Sequence, residues 1–257
     1  MRVSLGLVLV VSVVLAMSCG GSSGGSKTAT TGVNACGAAA TAAASCSGAG
    51  GVTSTGTRPP FTSLVNTIPQ NGQTLGSASA PLKIDLYQNF LCAHCRDFAL
   101  DVFPQIIGEY VAGGRVMITF HDTALGGGPA DIAHEAGRCA ADQGKFWDAY
   151  FALYQNYSDD AATYTKARME SALTPTGVDI GKLSACLDSN QHQAEVDAST
   201  NEFMHLGDSS ASYASANATV QAGGGPGIPV LNIGGTYLIA PPDYATVKAA
   251  IDAKLAP

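Results

Sequence analysis

Two cysteines separated by two residues, Cys92-Ala93-His94-Cys95, are the residues of this chain best suited to chemistry. They follow a strand-like run and precede a helical pattern, which puts Cys92 at a helix N-terminus. Unpaired backbone N–H groups and the positive end of the helix dipole meet there, and both favour a thiolate over a thiol. His94 adds a donor and, when protonated, a positive charge beside the same sulfur. The result is a stabilised dithiol, and a disulfide whose reduced form is stabilised is an oxidant. Other uses of the tetrad fit less well. A purely structural bridge between such closely spaced cysteines would be strained and reducible. Zinc needs four ligands, and the chain has neither a second CxxC nor an HxxxH, while His134-Glu135 lacks the histidine four residues on that a zinc-protease helix uses. Cu(I) transfer stays open, because soft thiolates select that ion.

The elements that must position the tetrad can be read around it. Leu82-Lys83-Ile84-Asp85-Leu86-Tyr87 alternates as a strand and is entered through Ala80-Pro81. After Cys92, Phe98, Val102, Ile106 and Tyr110 recur every four residues, and Gly113-Gly114 closes the helix. Pro104 removes the hydrogen bond to residue 100, so a kink is expected there. Arg115 to His121 makes a second strand, and a strand–helix–strand unit implies a parallel pair with a right-handed crossover. From Pro129 to about Leu206 every strong pattern is helical, including a stripe through Phe146, Tyr150, Leu153, Tyr154 and Tyr157. Strands return at Ile228–Ile233 and Thr236–Ile239 around a Gly234-Gly235 hairpin turn, and a last helix starts near Asp243 with Val247 and Ile251 on its face. The order β-α-β, helices, β-β-α predicts an α/β thioredoxin fold with an inserted all-helical domain. The expected division is a thioredoxin-like domain from 58–127 and 223–257, interrupted by a helical insertion at 128–222.

On these features the chain resembles the DsbA-like thiol:disulfide oxidoreductases of the thioredoxin superfamily, over essentially all of Leu64 to Leu255. Four stretches carry the likeness: Leu75-Gly76-Ser77-Ala78-Ser79-Ala80-Pro81, the Cys92–Cys95 tetrad, Gln143-Gly144-Lys145-Phe146-Trp147 and Gly227-Ile228-Pro229. The resemblance implies that Cys92 and Cys95 form the redox disulfide and that Pro229 is cis and packs against it. It further implies that the backbone of Ile228 pairs with the substrate as an added strand, and that Cys139 and Cys186, each on the buried side of a predicted helix, form a second, structural disulfide. From the residues alone, buried free thiols are the alternative for that pair. Two positions depart from the family: Ala93 replaces a usual proline, and Leu86 stands where many members keep a buried acid. Asp85 is adjacent but on the other face of the strand, which makes it a doubtful proton relay. His121, His134, His192 and His205 show no partner in sequence, and plain surface or core roles are expected for them.

The N-terminal part is different. Val3 to Met17 is a 15-residue, almost unbroken apolar run behind Arg2, too short to span a bilayer, which takes ~20 residues. It reads as the core of a secretory signal over 1–18, which places the protein outside the cytoplasm. Cys19 follows Leu15-Ala16-Met17-Ser18 in a sequence resembling a bacterial lipobox and is the expected lipidation site; setting it aside turns seven cysteines into six. The alternative is ordinary cleavage and a soluble exported product. Of the 38 residues from Gly20 to Thr57, 32 are Gly, Ala, Ser or Thr. They form no core and should act as a tether over 19–57 with a reach of roughly 35 Å. Cys36 and Cys46 inside it have no assigned role. The chain's net charge is −7, and from Arg58 onward 20 acids face 11 bases. Nucleic acid is therefore not an expected partner, since binding it needs a basic footprint.

Taken together, these readings predict an exported thiol:disulfide oxidase held at the outer face of the cell membrane, with no cofactor and no metal. Its partners would be exported proteins bearing thiols and, by resemblance, a membrane redox partner of the DsbB or vitamin K epoxide reductase type. A reductase or isomerase using the same site, and a non-enzymatic Cu(I)- or peptide-binding lipoprotein, are the alternatives.

Overall fold

A computed structural model of the protein describes residues 61–221, 227–241 and 243–257. The apolar leader, Cys19 and the tether with Cys36 and Cys46 lie outside the described residues. Among those described, no helix is long and apolar enough to cross a membrane.

A short helix α1 (Phe61–Val65) leads into the hairpin β1 (Gln70–Asn71) and β2 (Thr74–Leu75), then β3 (Leu82–Gln88). The long helix that follows is built in pieces: α2 (Ala93–Asp97), a π-helical stretch Phe98–Val102, α3 (Phe103–Ile106) and a second π stretch Ile107–Val111. The kink expected at Pro104 is thus resolved as widened turns. Where the proline cannot donate, the ladder has shifted to a bond from the Phe103 N–H to the Phe98 carbonyl, five residues back. Phe98, Val102, Ile106 and Tyr110 are all buried, as their spacing predicts.

Strand β4 (Val116–Asp122) lies parallel to β3, with Leu82 opposite Val116 and Gln88 opposite Asp122. Helices α4 (Pro129–Ala141), α5 (Phe146–Gln155), α6 (Lys166–Leu173), α7 (Ile180–Asp188), α8 (Gln193–Met204), α9 (Leu206–Ser209) and α10 (Ala211–Gln221) then follow. The chain returns to the sheet as β5 (Val230–Ile233) and β6 (Thr236–Ile239) and ends in α11 (Tyr244–Leu255), capped by the Asp243 side chain at the Thr246 N–H, 2.8 Å. The sheet order is β1-β2-β4-β3-β5-β6, and only the β3–β4 pair is parallel. Gly234 and Gly235 both have positive φ in the β5–β6 turn, the backbone that tight hairpins demand. Gly76 answers a different need, since a Cβ there would sit 2.7 Å from the Val116 carbonyl oxygen.

Strand β3 is central and holds the site. Leu82, Ile84, Leu86 and Gln88 share one buried face. On the other face Tyr87 is buried against Phe203, Leu206, Tyr213 and Val230. Helix α5 is buried along its length from Phe146 to Tyr154 rather than on a single stripe, as expected for a helix apolar all round. It packs the helical segment against β4 and α3 through tilted and edge-to-face rings: Phe120 lies 5.2 Å from Phe146, and Phe103 5.5 Å from Tyr150.

Candidate active site

Strand β3 stops at Gln88, and the next three residues turn the chain into a helix. Asn89 makes the turn: its side-chain oxygen accepts from the Leu91 N–H at 2.9 Å and its backbone carbonyl from the Cys92 N–H at 3.0 Å. Cys92 is then the N-cap of α2, in extended backbone, and its sulfur accepts from the Cys95 N–H at 3.3 Å. The sulfur does what a serine or aspartate oxygen does at other helix starts, and so receives the helix's unpaired donors.

The two sulfurs differ sharply. Cys92 is half-buried and reaches the surface, whereas Cys95 is fully buried. The Cys92 thiol is lowered to about 6, first by the hydrogen bond from the Cys95 thiol and then, against the cost of partial burial, by the Cys95 and His94 backbone N–H groups. The His94 charge is the smallest of these contributions. This changes the weighting read from sequence, because His94 is exposed and helps more through its amide than through its imidazole. Burial pushes the Cys95 thiol well above its ordinary range, and its hydrogen bond to Cys92 pushes the same way. At neutral pH the pair therefore holds one thiolate and one thiol, with the thiolate at the surface.

Ile228 and Pro229 close the other side. Their peptide bond is cis, and the Ile228 carbonyl lies 3.9 Å from the Cys92 sulfur. Next to them is a hollow of about 370 Å³ floored by Phe98, Val102, Pro229 and Pro241, with His94, Asp97 and Asp101 also lining it.

The residues that hold the redox turn come mostly from the helical segment. Phe90 is fully buried, its ring 5.0 Å from Tyr154 and 5.5 Å from Phe120. The Phe90 N–H points at His134 Nε2, 3.5 Å away, and the Phe90 carbonyl accepts from the Tyr164 hydroxyl at 3.4 Å. The Tyr154 hydroxyl donates to the Asn89 carbonyl at 3.3 Å, and the Asn89 amide donates to the Leu125 carbonyl at 3.0 Å. Beneath Cys95, the Gln88 amide donates to the Cys95 carbonyl at 3.2 Å while its oxygen accepts from the Tyr150 hydroxyl at 2.6 Å. Each polar group of the turn named here has a partner, which keeps so buried a turn from incurring a desolvation penalty.

His134 is itself fixed. Its Nδ1 is 2.8 Å from Asp122, whose other oxygen accepts from Arg138 at 2.7 Å and Gln73 at 3.0 Å. Burial pushes the Asp122 carboxyl up, but the bonds from His134 and the Arg138 charge prevail and hold it below its ordinary range. The other histidines have partners too: His121 bonds to Asp85 at 3.2 Å and stacks on Tyr87, His192 meets Asp142 at 2.8 Å, and His205 Nδ1 meets the Asn201 carbonyl at 2.8 Å. Asp85 is occupied by His121 and Asn232 on the sheet face opposite Leu86. Away from this site, Cys139 of α4 and Cys186 of α7 are joined by a disulfide with a Cα–Cα distance of 6.0 Å.

The model of the family described as Thioredoxin matches residues 69–253. The chain belongs to the thioredoxin family. Among curated proteins it is similar to the "Probable disulfide bond formation protein D" of Bacillus cereus, with 26% identity over 188 residues, which cover 71% of this chain and 78% of that one. Among solved structures it is similar to oxidised BdbD from Bacillus subtilis, with a TM-score of 0.59 and 18% identity, covering 73% of this chain and 96% of the other. It is also similar to DsbA of Chlamydia trachomatis, with a TM-score of 0.55 and 13% identity, covering 72% and 92% of the two chains. Within the thioredoxin family its fold is that of the DsbA-like oxidoreductases.

Proposed function

We propose that this thiol:disulfide oxidoreductase works as an oxidase, transferring the Cys92–Cys95 disulfide to thiols of exported proteins. The observation that carries this reading is the asymmetry of the two sulfurs, with Cys92 at the surface and lowered to about 6 and Cys95 buried and raised. A substrate thiolate attacks Cys92, a mixed disulfide forms, and Cys95 leaves as the thiolate and takes a proton. The substrate's second thiol then displaces Cys92. A stable Cys92 thiolate is a good leaving group and pulls the exchange towards reduced enzyme. In this scheme Ile228 and Pro229 align the substrate backbone, and His94 shapes the rim. The thioredoxin-like domain, 58–127 with 223–257, carries the sulfurs, and the insertion, 128–222, holds the redox turn and is stapled by Cys139–Cys186.

The same proposal places the protein outside the cytoplasm, held by a lipid on Cys19 after removal of 1–18, with the tether letting it reach both substrates and a membrane enzyme of the DsbB or vitamin K epoxide reductase type that reoxidises it. The deciding experiment is equilibration of the Cys92–Cys95 couple against glutathione. An oxidase requires a potential near the ~−120 mV of strong oxidants, and a value near the ~−270 mV of dithiol reductants would return the reductase reading. Absence of acyl labelling that depends on Cys19 would remove the anchor while leaving the chemistry untouched.

A further inference from the structure

The Cys139–Cys186 pair opens into a surface hollow of about 370 Å³ lined by Cys139, Asp142, Gln143, Lys182, Cys186 and Gln191. Asp142 is the C-cap of α4, three residues beyond Cys139, so both leave the helix on the same side. His192 precedes α8, and the turn that brings it back is held by the Gln191 N–H on the Cys186 carbonyl, 3.2 Å. Ligand atoms of Asp142, Cys186 and His192 lie within 4.8 Å of one another. His192 Nε2 and the Gln191 amide both meet the same Asp142 oxygen, at 2.8 and 2.9 Å.

We propose that Cys139, Cys186, His192 and Asp142 bind one zinc ion while the cysteines are reduced, and that closing the disulfide expels it. The donor set is two thiolates, an imidazole and a carboxylate, the number and type a tetrahedral zinc site takes, and thiolates select zinc over calcium or magnesium. Zinc–ligand distances of about 2.0–2.3 Å put neighbouring ligands roughly 3.3–3.8 Å apart. The Asp142, Cys186 and His192 atoms, within 4.8 Å of one another, must draw together by at most about 1.5 Å and the freed Cys139 sulfur must turn to join them, by side-chain rotation at two helix ends. Glu195 lies 3.7 Å from His192 Nδ1, placed to take the outer N–H once Nε2 is on the metal. Lys182 in the lining offsets the net negative charge of the filled site.

The chemistry balances. Zinc binding releases the two thiol protons. Oxidation by a disulfide, such as Cys92–Cys95 of another copy, forms the Cys139–Cys186 bond and breaks the oxidant's S–S bond. Two electrons pass to the oxidant's sulfurs; in Cys92–Cys95 the Cys95 sulfur takes a proton from water while Cys92 stays a thiolate, and Zn²⁺ leaves. Zinc thereby holds α4 and α7 together before their covalent link exists. This inference concerns the other cysteine pair, so failure of the oxidase reading leaves it standing.

The test uses the full chain with Cys19, Cys36, Cys46, Cys92 and Cys95 replaced by Ser, leaving Cys139 and Cys186 as the only thiols. Reduced with a phosphine and titrated against a chromogenic chelator, it should take up one Zn²⁺ per chain, and the oxidised form should bind at least about 100-fold more weakly. Co²⁺ should give a thiolate charge-transfer band, and His192→Ala and Asp142→Ala should each weaken Zn²⁺ binding by more than about 10-fold. Lack of zinc uptake by the reduced chain, equal uptake by both redox forms, or indifference to His192→Ala would overturn the proposal. Circular dichroism covers loss of fold: a reduced chain that unfolds must regain its helices with zinc, and one that stays unfolded also overturns it.

Discussion

Cys92 and Cys95 share one helix end, whereas Cys139 and Cys186 are 47 residues apart and tie two helices together. In the first pair the sulfurs have unlike surroundings: Cys92 caps the helix and meets its free N–H groups, and Cys95 is one turn inside, over Gln88. In the second pair both sulfurs sit in the core, Cys139 at 2% exposure and Cys186 at 8%, and neither caps a helix start. The lesson is that backbone position rather than residue type sets what a cysteine does. A sulfur at a helix N-terminus is held as thiolate and exchanges readily, while a sulfur on an inward helix face lacks those donors and exchanges more slowly.

The sharpest way to break this comparison is to remove one sulfur at a time. Cys92→Ala should reduce oxidation of a dithiol peptide by at least about 100-fold, since the surface sulfur is the one exchanged. Cys95→Ala should instead accumulate mixed disulfides on Cys92, read by non-reducing electrophoresis of exported proteins. Equal trapping by both variants would show that the sulfurs are equivalent. Next in size, Cys139→Ala with Cys186→Ala should lower stability by about 4 kcal/mol in the loop-entropy model, or a Tm fall of roughly 8–16 °C for a domain of this size, with thiol oxidation kept within about two-fold. Lost activity in a folded double variant would assign redox work to the second pair.

A smaller effect is expected in pH. Cys92 titrates at about 6 in the folded dithiol, below an unfolded thiol near ~8.5. Its contribution is therefore complete above ~8.5 and is lost as pH falls through about 6. Over that window the reduced form should gain about 2 kcal/mol relative to the oxidised form, solvent screening at the half-buried sulfur being allowed for, as measured by denaturant unfolding of both. His94→Ala should give the smallest change. With both backbone donors kept, the thiolate midpoint should rise by a few tenths of a pH unit and the potential should fall by less than ~30 mV. A larger fall would restore to the imidazole the weight that its position in sequence suggests.

The tetrad and the elements beside it were legible because the evidence is local: alternation to Tyr87, a CxxC, then a four-residue repeat through Tyr110. The β1–β2 hairpin is not among the elements expected from sequence, although its two-residue turn Gly72-Gln73 has glycine at the first position, where the positive φ falls. Gln88 continues the Leu82, Ile84, Leu86 face, so strict period-two reading marks it as a buried polar group in need of a partner. That the partner is Tyr150 depends on packing across 62 residues, for which no pattern exists. The same holds for His134, whose bond to Asp122 joins a helix to a strand end. The widened turns around Pro104 show a third limit, since a missing donor can be absorbed by shifting the ladder as well as by bending.

The place of β3 between β4 and β5 also imposes an order in time. One edge of β3 is covered as soon as β4 is made, but the other waits for β5, where Ile84 meets Ile233. Until that late segment arrives, an apolar strand keeps a row of unpaired N–H and C=O groups, the kind of edge that recruits other chains. A contact spanning so much of the sequence is slow to form. The redox turn is held by residues no later than Tyr164, but the Ile228–Pro229 wall beside Cys92 comes only with β5, so a partly synthesised copy has both cysteines of the tetrad without the wall that faces the exposed one.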